Sequence, residues 1–417
     1  MTSVHLLPSV VIFILTYLTI SVQRLPFFHL DRTSGAMIGA VAMVAFGVMS
    51  IGEAYQAVNL DTIVLLLGMM LIVAYLQVSG FFDIVSNFLL KYAGTGSRLL
   101  LAIILTGGAL SAFLVNDTIC VMMTPFVLLL TSKSNIDPKP YLIGLATSAN
   151  IGSVATLVGN PQNMLIGTFS HLHYLEFFSA MFPVALIGLI IDFTILKMFF
   201  RKKLNDKLIV RELSASHKAD KPLLYKSAIV MGMVVIGFSA GVNLAFMSIL
   251  GAALLVLVAN RRPEEIFARV NWSLLLFFAS LFIVVGGIAK VGLVEQAHLM
   301  LNGYFSISPF QQVATFSFAS LVLSNIVSNV PYVMVVRHWI AAFSAPTLMW
   351  MVLAMSSTFA GNLTVAGSVA NMIVLELSKE KVHMKFWEFT RVAGTVALVT
   401  WTIGTGIMVL YLGFGLH

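Results

Sequence analysis

The polar residues inside the apolar runs of this chain fall in four short clusters, and their types suit ion binding rather than bond making. The stretch "LVNDTICVMMTP" (114–125) carries Asn116, Asp117 and Thr118 in an otherwise apolar run. A second cluster, "NIGSVATLVGNPQN" (150–163), carries Asn150, Gly152, Ser153, Thr156, Gly159, Asn160 and Asn163. A third holds Ser328 and Asn329, followed by Pro331, and the fourth, "FAGNLTVAGSVAN" (359–371), holds Gly361, Asn362, Thr364, Gly367, Ser368 and Asn371. Amide and hydroxyl oxygens are ligands for a hard cation such as Na+. Helix N-termini opening beside glycines and a proline present free N–H groups to an anion. Asp117 is the one carboxyl at a cluster tip, and a charge at membrane depth costs about 3 kcal/mol or more. Two roles follow for it: an ionised ligand for Na+, or a coupling carboxyl that alternates between protonated and ionised states. A permanently protonated Asp117, hydrogen-bonded to a neighbouring helix, is the purely structural alternative.

These clusters lie in a membrane protein. The 417 residues are 59% hydrophobic and 10% charged, against about 25% charged in soluble domains. The single cysteine, Cys120, excludes an intrachain disulfide and a multi-cysteine metal site, and reads as an apolar filler. Stretches of spanning length fall at about 4–23, 34–51, 61–79, 141–168, 176–200, 223–241, 244–260, 271–290, 347–377 and 386–414. Those at 141–168 and 347–377 are interrupted. Two further runs, 99–131 and 310–345, are too long for one span and are broken by polar residues midway, so they read as re-entrant hairpins. Threaded in this way, nearly all basic clusters share one side, including Arg24, Arg32, Lys91, Arg98, Lys133, Lys139, the segment 201–222 and Lys379 to Arg391. That side is expected to be cytoplasmic, with Lys290 and Arg337 opposite and both termini outside. The net charge of +7 is thus orientation information, not a nucleic-acid footprint. The N-terminus, lacking a basic n-region and a small-residue cleavage site, reads as a first span.

An internal repeat organises the spans. An offset of 212 lays residues 53–83 on 265–295, matching Glu53 with Glu265, Val58-Asn59 with Val270-Asn271 and Gly80 with Gly292. The same offset lays "VNDTICVM" on "VSNVPYVM", and an offset of 208 lays 148–166 on 356–374, matching Thr156 with Thr364, Gly159 with Gly367 and Asn163 with Asn371. The expected architecture is all-α: a first repeat over 1–200, a cytoplasmic linker at 201–222 and a second repeat over 223–417. Five spans per repeat is an odd number, so the second must run upside down, the plan of secondary transporters with a site at the repeat interface. No Arg or Lys falls within the expected core, so an anion would be held by helix N-termini, Asn, Ser and Thr side chains and any co-bound cation. "SHLHY" (170–174) gives a His-x-His pair in a loop and no expected metal site. Asp192 sits within a span with no evident partner. Trp272, Trp339, Trp387 and Tyr411 read as interfacial anchors.

The segments 146–167 and 359–376, with "LLLGMMLIVAYLQVSGFF" (65–82) and "LSNIVSNVPYVMV" (323–335), resemble the paired signatures of the ion transporter superfamily. That superfamily includes citrate and arsenite permeases, divalent anion–sodium symporters and a class of sodium/proton antiporters. The resemblance covers about residues 35–410. It implies two oppositely opening hairpins, a substrate held between hairpin tips and broken helices, elevator-type alternating access and a homodimer. The symporter branch carries Ser-Asn-Thr at both tips, whereas the tips here read Asn116-Asp117-Thr118 and Ser328-Asn329-Val330, and the Asn-Asp tip is closer to the arsenite-permease and anion-permease branches. The function expected is transport of a small anion (oxyanion or carboxylate) or a metalloid acid across the plasma (inner) membrane, coupled to H+ or Na+. The alternative is a sodium/proton antiporter on the same scaffold. No cofactor is expected beyond the coupling ion. The chain has neither His-Glu-x-x-His nor G-x-S-x-G and no intramembrane histidine to act as base, which argues against an enzyme. A passive channel suits closed hairpin tips less well.

Overall fold

The structure is a computed structural model that describes residues 6–22, 31–92, 94–204, 219–296, 299, 303 and 308–415. Arg24 and most of the expected linker, 205–218, lie outside the described residues. The elements described are helical. In the first half they are α1 (Leu6–Val22), α2 (Arg32–Ala45), α3 (Ile51–Ala57), α4 (Leu60–Val78), α5 (Phe81–Tyr92), α6 (Gly96–Leu114), α7 (Asn116–Lys133), α8 (Lys139–Ser153), α9 (Pro161–Ser170) and α10 (Tyr174–Phe199). In the second half they are α11 (Lys221–Ser239), α12 (Leu244–Val258), α13 (Pro263–Phe267), α14 (Trp272–Lys290), α15 (Pro309–Val327), α16 (Asn329–Val336), α17 (Pro346–Ala360), α18 (Val369–Ser378) and α19 (Phe386–Gly413). Among the described residues, 7 helices are long and apolar enough to cross a membrane alone. α1, α2, α12, α17 and α18 are shorter apolar helices. At 1.5 Å per residue a helix of about 15 residues falls short of a hydrocarbon layer about 30 Å thick. The two interrupted spans divide accordingly, into α8 with α9 and α17 with α18.

Residues that match between the halves hold the same local posts. Asn59 caps α4 by accepting from Thr62 N, and Asn271 caps α14 by accepting from Leu274 N. Gly80 and Gly292 both stand at φ 79°, just beyond those two helices, a conformation only glycine adopts freely. Asn163 Nδ2 donates to the carbonyls of Ser153 (3.2 Å) and Thr156 (2.8 Å), while Asn371 Nδ2 donates to those of Gly361 (2.7 Å) and Thr364 (3.1 Å). Each amide thus satisfies carbonyls freed where a helix breaks. Unwound backbone at membrane depth needs such partners.

Contacts between helices also come in reciprocal pairs. α4 packs on α12 and α14 on α2; α6 packs on α8 and α15 on α17; α8 packs on α10 and α17 on α19. Two packed groups result: α1 to α4 with α11 to α14, and α6 to α10 with α15 to α19. Where two helices of the second group cross most closely, Gly152 lies against Gly108, and a Cβ there would stand 2.1 Å from Gly108 O. Of the expected cationic outliers, Lys290 pairs with Glu53 at 2.7 Å, which holds the Glu53 carboxyl down at about 2, and Arg337 covers the Phe169 ring at 3.8 Å. Trp339 departs from its expected interfacial role: it is buried and donates through Nε1 to Val294 O at 2.9 Å.

Gly152→Val is expected to abolish the monodisperse detergent-solubilised species. Gly52→Ala, where nothing stands within 4 Å, leaves the melting temperature within about 1 °C. A size-exclusion profile and a thermal melt of each variant check this contrast.

Candidate substrate and ion site

The first expected hairpin turns at Val115 and the second at Ser328. Val115 has φ 63° and Ser328 φ 75°, and each ends one helix and caps the next. A β-branched residue at positive φ is strained by about 1–3 kcal/mol and persists where the surroundings enforce it. Here Asn116 N donates to Gly159 O at 2.9 Å, tying the tip to the break between α8 and α9. With Val115 and Ser328 as equivalent turns, Asn116 corresponds to Asn329. The tips are therefore in register one residue away from the offset of 212 expected above. Asp117 then faces no acidic or amide counterpart; its equivalent is Val330. Side-chain similarity aligns the apolar flanks, while backbone geometry aligns the turns.

Asn150 joins the elements at the centre. Its Oδ1 accepts from Asn116 Nδ2 at 2.9 Å and from Ser368 Oγ at 2.9 Å. Its Nδ2 donates to Asn362 Oδ1 at 2.7 Å and to Asn371 Oδ1 at 3.2 Å. One buried amide thus connects the first hairpin tip, the first broken helix and the second broken helix. Asn362 Nδ2 continues the chain by donating to Thr147 O at 3.2 Å, and Thr147 Oγ1 donates to Asp192 Oδ1 at 2.9 Å. Asp192 therefore does have a partner, on α8. On the other flank Asn160 Oδ1 accepts from Asn163 N at 2.8 Å, capping α9, while Asn160 Nδ2 donates to Ser153 Oγ at 2.7 Å. Ser153 Oγ donates to Asn150 O at 2.7 Å, Thr156 Oγ1 donates to Ala112 O, and Thr364 Oγ1 donates to Asn325 Oδ1 at 3.2 Å.

A cavity of about 30 Å³ sits where these elements meet. Asn116, Asp117, Ser328 and Asn329 from the tips line it, as do Gly367 and Ser368 from the second break and Pro161, Gln162 and Val369 at the starts of α9 and α18. That volume holds about one water. Two helix N-termini and both tips therefore converge on one small polar space. Two amide oxygens in the region are buried without a donor, Asn163 Oδ1 and Asn329 Oδ1. Asn329 lines the cavity and Asn163 does not; an amide oxygen of this kind is an acceptor that a hard monovalent cation can use.

Not every expected residue joins the site. Gly152 serves the crossing with Gly108, and the Thr118 side chain neither lines the cavity nor enters the amide network. Gly361 contributes its carbonyl, to Asn371. Conversely, the expectation of a core without Arg or Lys is corrected by Arg32. It is the first residue of α2, partly buried; it lines the cavity with Asp117, and its guanidinium lies 5.5 Å from the centre of the Phe277 ring. Its position at the end of an apolar run had marked it as a topology signal. Gln162, which donates to Thr358 Oγ1 at 3.1 Å, was also missed; it lies within the quoted Asn-Pro-Gln-Asn motif, which was the available clue. A larger vestibule of about 820 Å³ shares Arg32 and Val369 with the tip cavity and is lined further out by Glu376, Lys379 and His383.

Apolar helices with paired breaks around a buried polar junction describe a multi-pass membrane protein, and the family it matches is one of membrane transporters, not enzymes. The chain belongs to the citrate transporter family, whose model matches residues 11–360, within the ion transporter superfamily. It is 30% identical to the silicon efflux transporter LSI3 of Oryza sativa subsp. japonica, over 91% of this chain and 92% of that one. It is 28% identical to the putative transporter arsB of Dictyostelium discoideum, over 96% and 90%. In fold it is similar to the crystal structure of the YdaH transporter of Alcanivorax borkumensis, with a TM-score of 0.60, 12% identity and coverage of 99% and 98%.

Asn150→Ala removes the partner of Asn116, Asn362 and Ser368 at once. At about 1–3 kcal/mol for each buried group left unpaired, its melting temperature is expected to fall by several degrees or more. Asn150→Asp, which keeps an acceptor for Asn116 and Ser368, falls less. Equal melting of Asn150→Ala and the parent would contradict the central place given to this amide.

Proposed function

We propose that the chain is a proton-coupled secondary transporter for a small oxygen-rich acid, a carboxylate or a metalloid acid. The observation that carries this is the convergence of both hairpin tips and two half-helix N-termini on one cavity that contains a single carboxyl, Asp117. Free N–H groups at helix starts and side-chain amides suit oxyanions and polyhydroxy acids alike. The family's description as citrate transporters and the rice relative's name both point to substrates of this kind.

The paired posts of the two halves support an inverted repeat, with boundaries near 200 and 223. In this reading the group of α6 to α10 with α15 to α19 carries the substrate and moves against α1 to α4 with α11 to α14 as an elevator, in a homodimer. The vestibule carries Lys379 and His383, on the flank expected to be cytoplasmic, so the conformation described faces inward. The remaining proposed site residues act as amide and hydroxyl contacts around the cavity and its supporting breaks. A second reading has its own support: the unpaired oxygens of Asn163 and Asn329 favour a Na+ site, which would make the protein a sodium-coupled symporter or a sodium/proton antiporter.

Asp117→Asn keeps the size of the side chain and removes its titration. Gradient-driven uptake into proteoliposomes is expected to fall by about two orders of magnitude, with the elution profile unchanged. Full gradient-driven uptake by this variant would refute proton coupling through Asp117.

A further inference from the structure

Arg32 has no counterpart in the second half, where Leu244 begins α12. It lines both the tip cavity and the vestibule, as Val369 does. The helix start that carries it is fixed by Asp31, whose Oδ1 accepts from Ser34 N at 2.8 Å, and Phe277 supports the planar head. Among the described residues the Arg32 guanidinium makes no hydrogen bond and no ion pair. A planar fork of five donors, partly desolvated and unpaired, is a ready receptor for a carboxylate or other oxyanion. Asp117 shares the cavity without touching it, and the two charges act on each other across that gap.

Other charges near Asp117 are spoken for or remote. Of the elements packed on α7, α8 contributes Lys139, ion-paired with Glu388 at 2.8 Å, and α18 contributes Glu376, ion-paired with Lys379. α6 carries Arg98 in its first turn, at the end away from the tip, α5 carries Asp83 in its first turn, and α7 itself carries Lys133 in its last turn and the buried Cys120 thiol. Arg32 is the cation that lines the cavity with Asp117.

We infer that Arg32 selects for charged substrate, and that the substrate anion and the Asp117 carboxylate compete for it, so that an anion is held only as Asp117 takes up a proton. This rests on the proton-coupled reading above and adds its mechanism. The empty site pairs one positive with one negative charge. Loading places the anion's charge on Arg32 and one proton from solution on an Asp117 oxygen, so the site's net charge is the same before and after for a monovalent anion. A proton and an anionic group then travel together. An uncharged acid needs neither partner and enters through the amides alone.

The test uses the full chain in proteoliposomes, with citrate as the charged probe and silicic acid as the uncharged one, each followed between about pH 5.5 and pH 8. The parent is expected to take up citrate less readily as pH rises, because Asp117 ionises and reclaims Arg32. Arg32→Gln is expected to lose more than about tenfold of citrate uptake and less than about threefold of silicic acid uptake. Arg32→Lys, which keeps the charge but not the fork, falls between. Asp117→Asn is expected to exchange citrate across the membrane at a rate independent of pH. Citrate uptake by Arg32→Gln equal to the parent's overturns the inference alone. So does a parallel loss of both probes in Arg32→Gln that Arg32→Lys does not relieve. A parent that moves neither probe, nor arsenite in the same assay, overturns the functional reading and this inference with it.

Discussion

Backbone that leaves the helix inside a membrane must find its hydrogen-bond partners within the protein, and in this molecule asparagine supplies them. Asn163 and Asn371 each donate to two carbonyls released at a break, at the same spacing along the chain. Asn150 then ties those breaks to a hairpin tip through both ends of its amide. Without these bonds the breaks between α8 and α9 and between α17 and α18 would expose peptide groups to hydrocarbon, at several kcal/mol each. The breaks are what turn two helix N-termini inward, so the polar cavity exists because the amides make irregular backbone affordable.

The two halves share this scaffold but not its charges. Capping asparagines, left-handed glycines and reciprocal helix contacts recur in both halves. Asp117 and Arg32, by contrast, stand where the other half has Val330 and Leu244. A site formed by near-equivalent elements therefore carries one acid and one base, both from the first half. The two tips and the two breaks recur in both halves, whereas the carboxyl and the guanidinium that line the cavity each occur once.

Much of this was legible from residue types alone. Polar tips within apolar runs, glycines and a proline beside asparagines, and matching offsets marked the breaks and tips because buried polar groups are too costly to occur there by accident. The helix-capping posts of Asn59 and Asn271 were visible as matched residues, though their capping role needed the backbone. Three features were hidden for physical reasons. The tip register depends on which residue adopts positive φ, and neither Val115 nor Ser328 advertises that conformation. Arg32 is separated from Asp117 by most of a hundred residues and sits at a helix start, where a basic residue ordinarily reports only membrane orientation. Asp192 found its partner in Thr147, a hydroxyl on another helix, a contact that no periodicity within either helix encodes.

The central claim is that proton movement accompanies an acid substrate. It is tested most directly by proteoliposomes holding a trapped pH-sensitive dye, given sodium chloride alone and then citrate, arsenite and silicic acid in turn. No response to sodium and a proton flux on addition of one of the acids are expected. Proton movement on sodium alone, with no acid present, would contradict it and establish a cation antiporter on this fold.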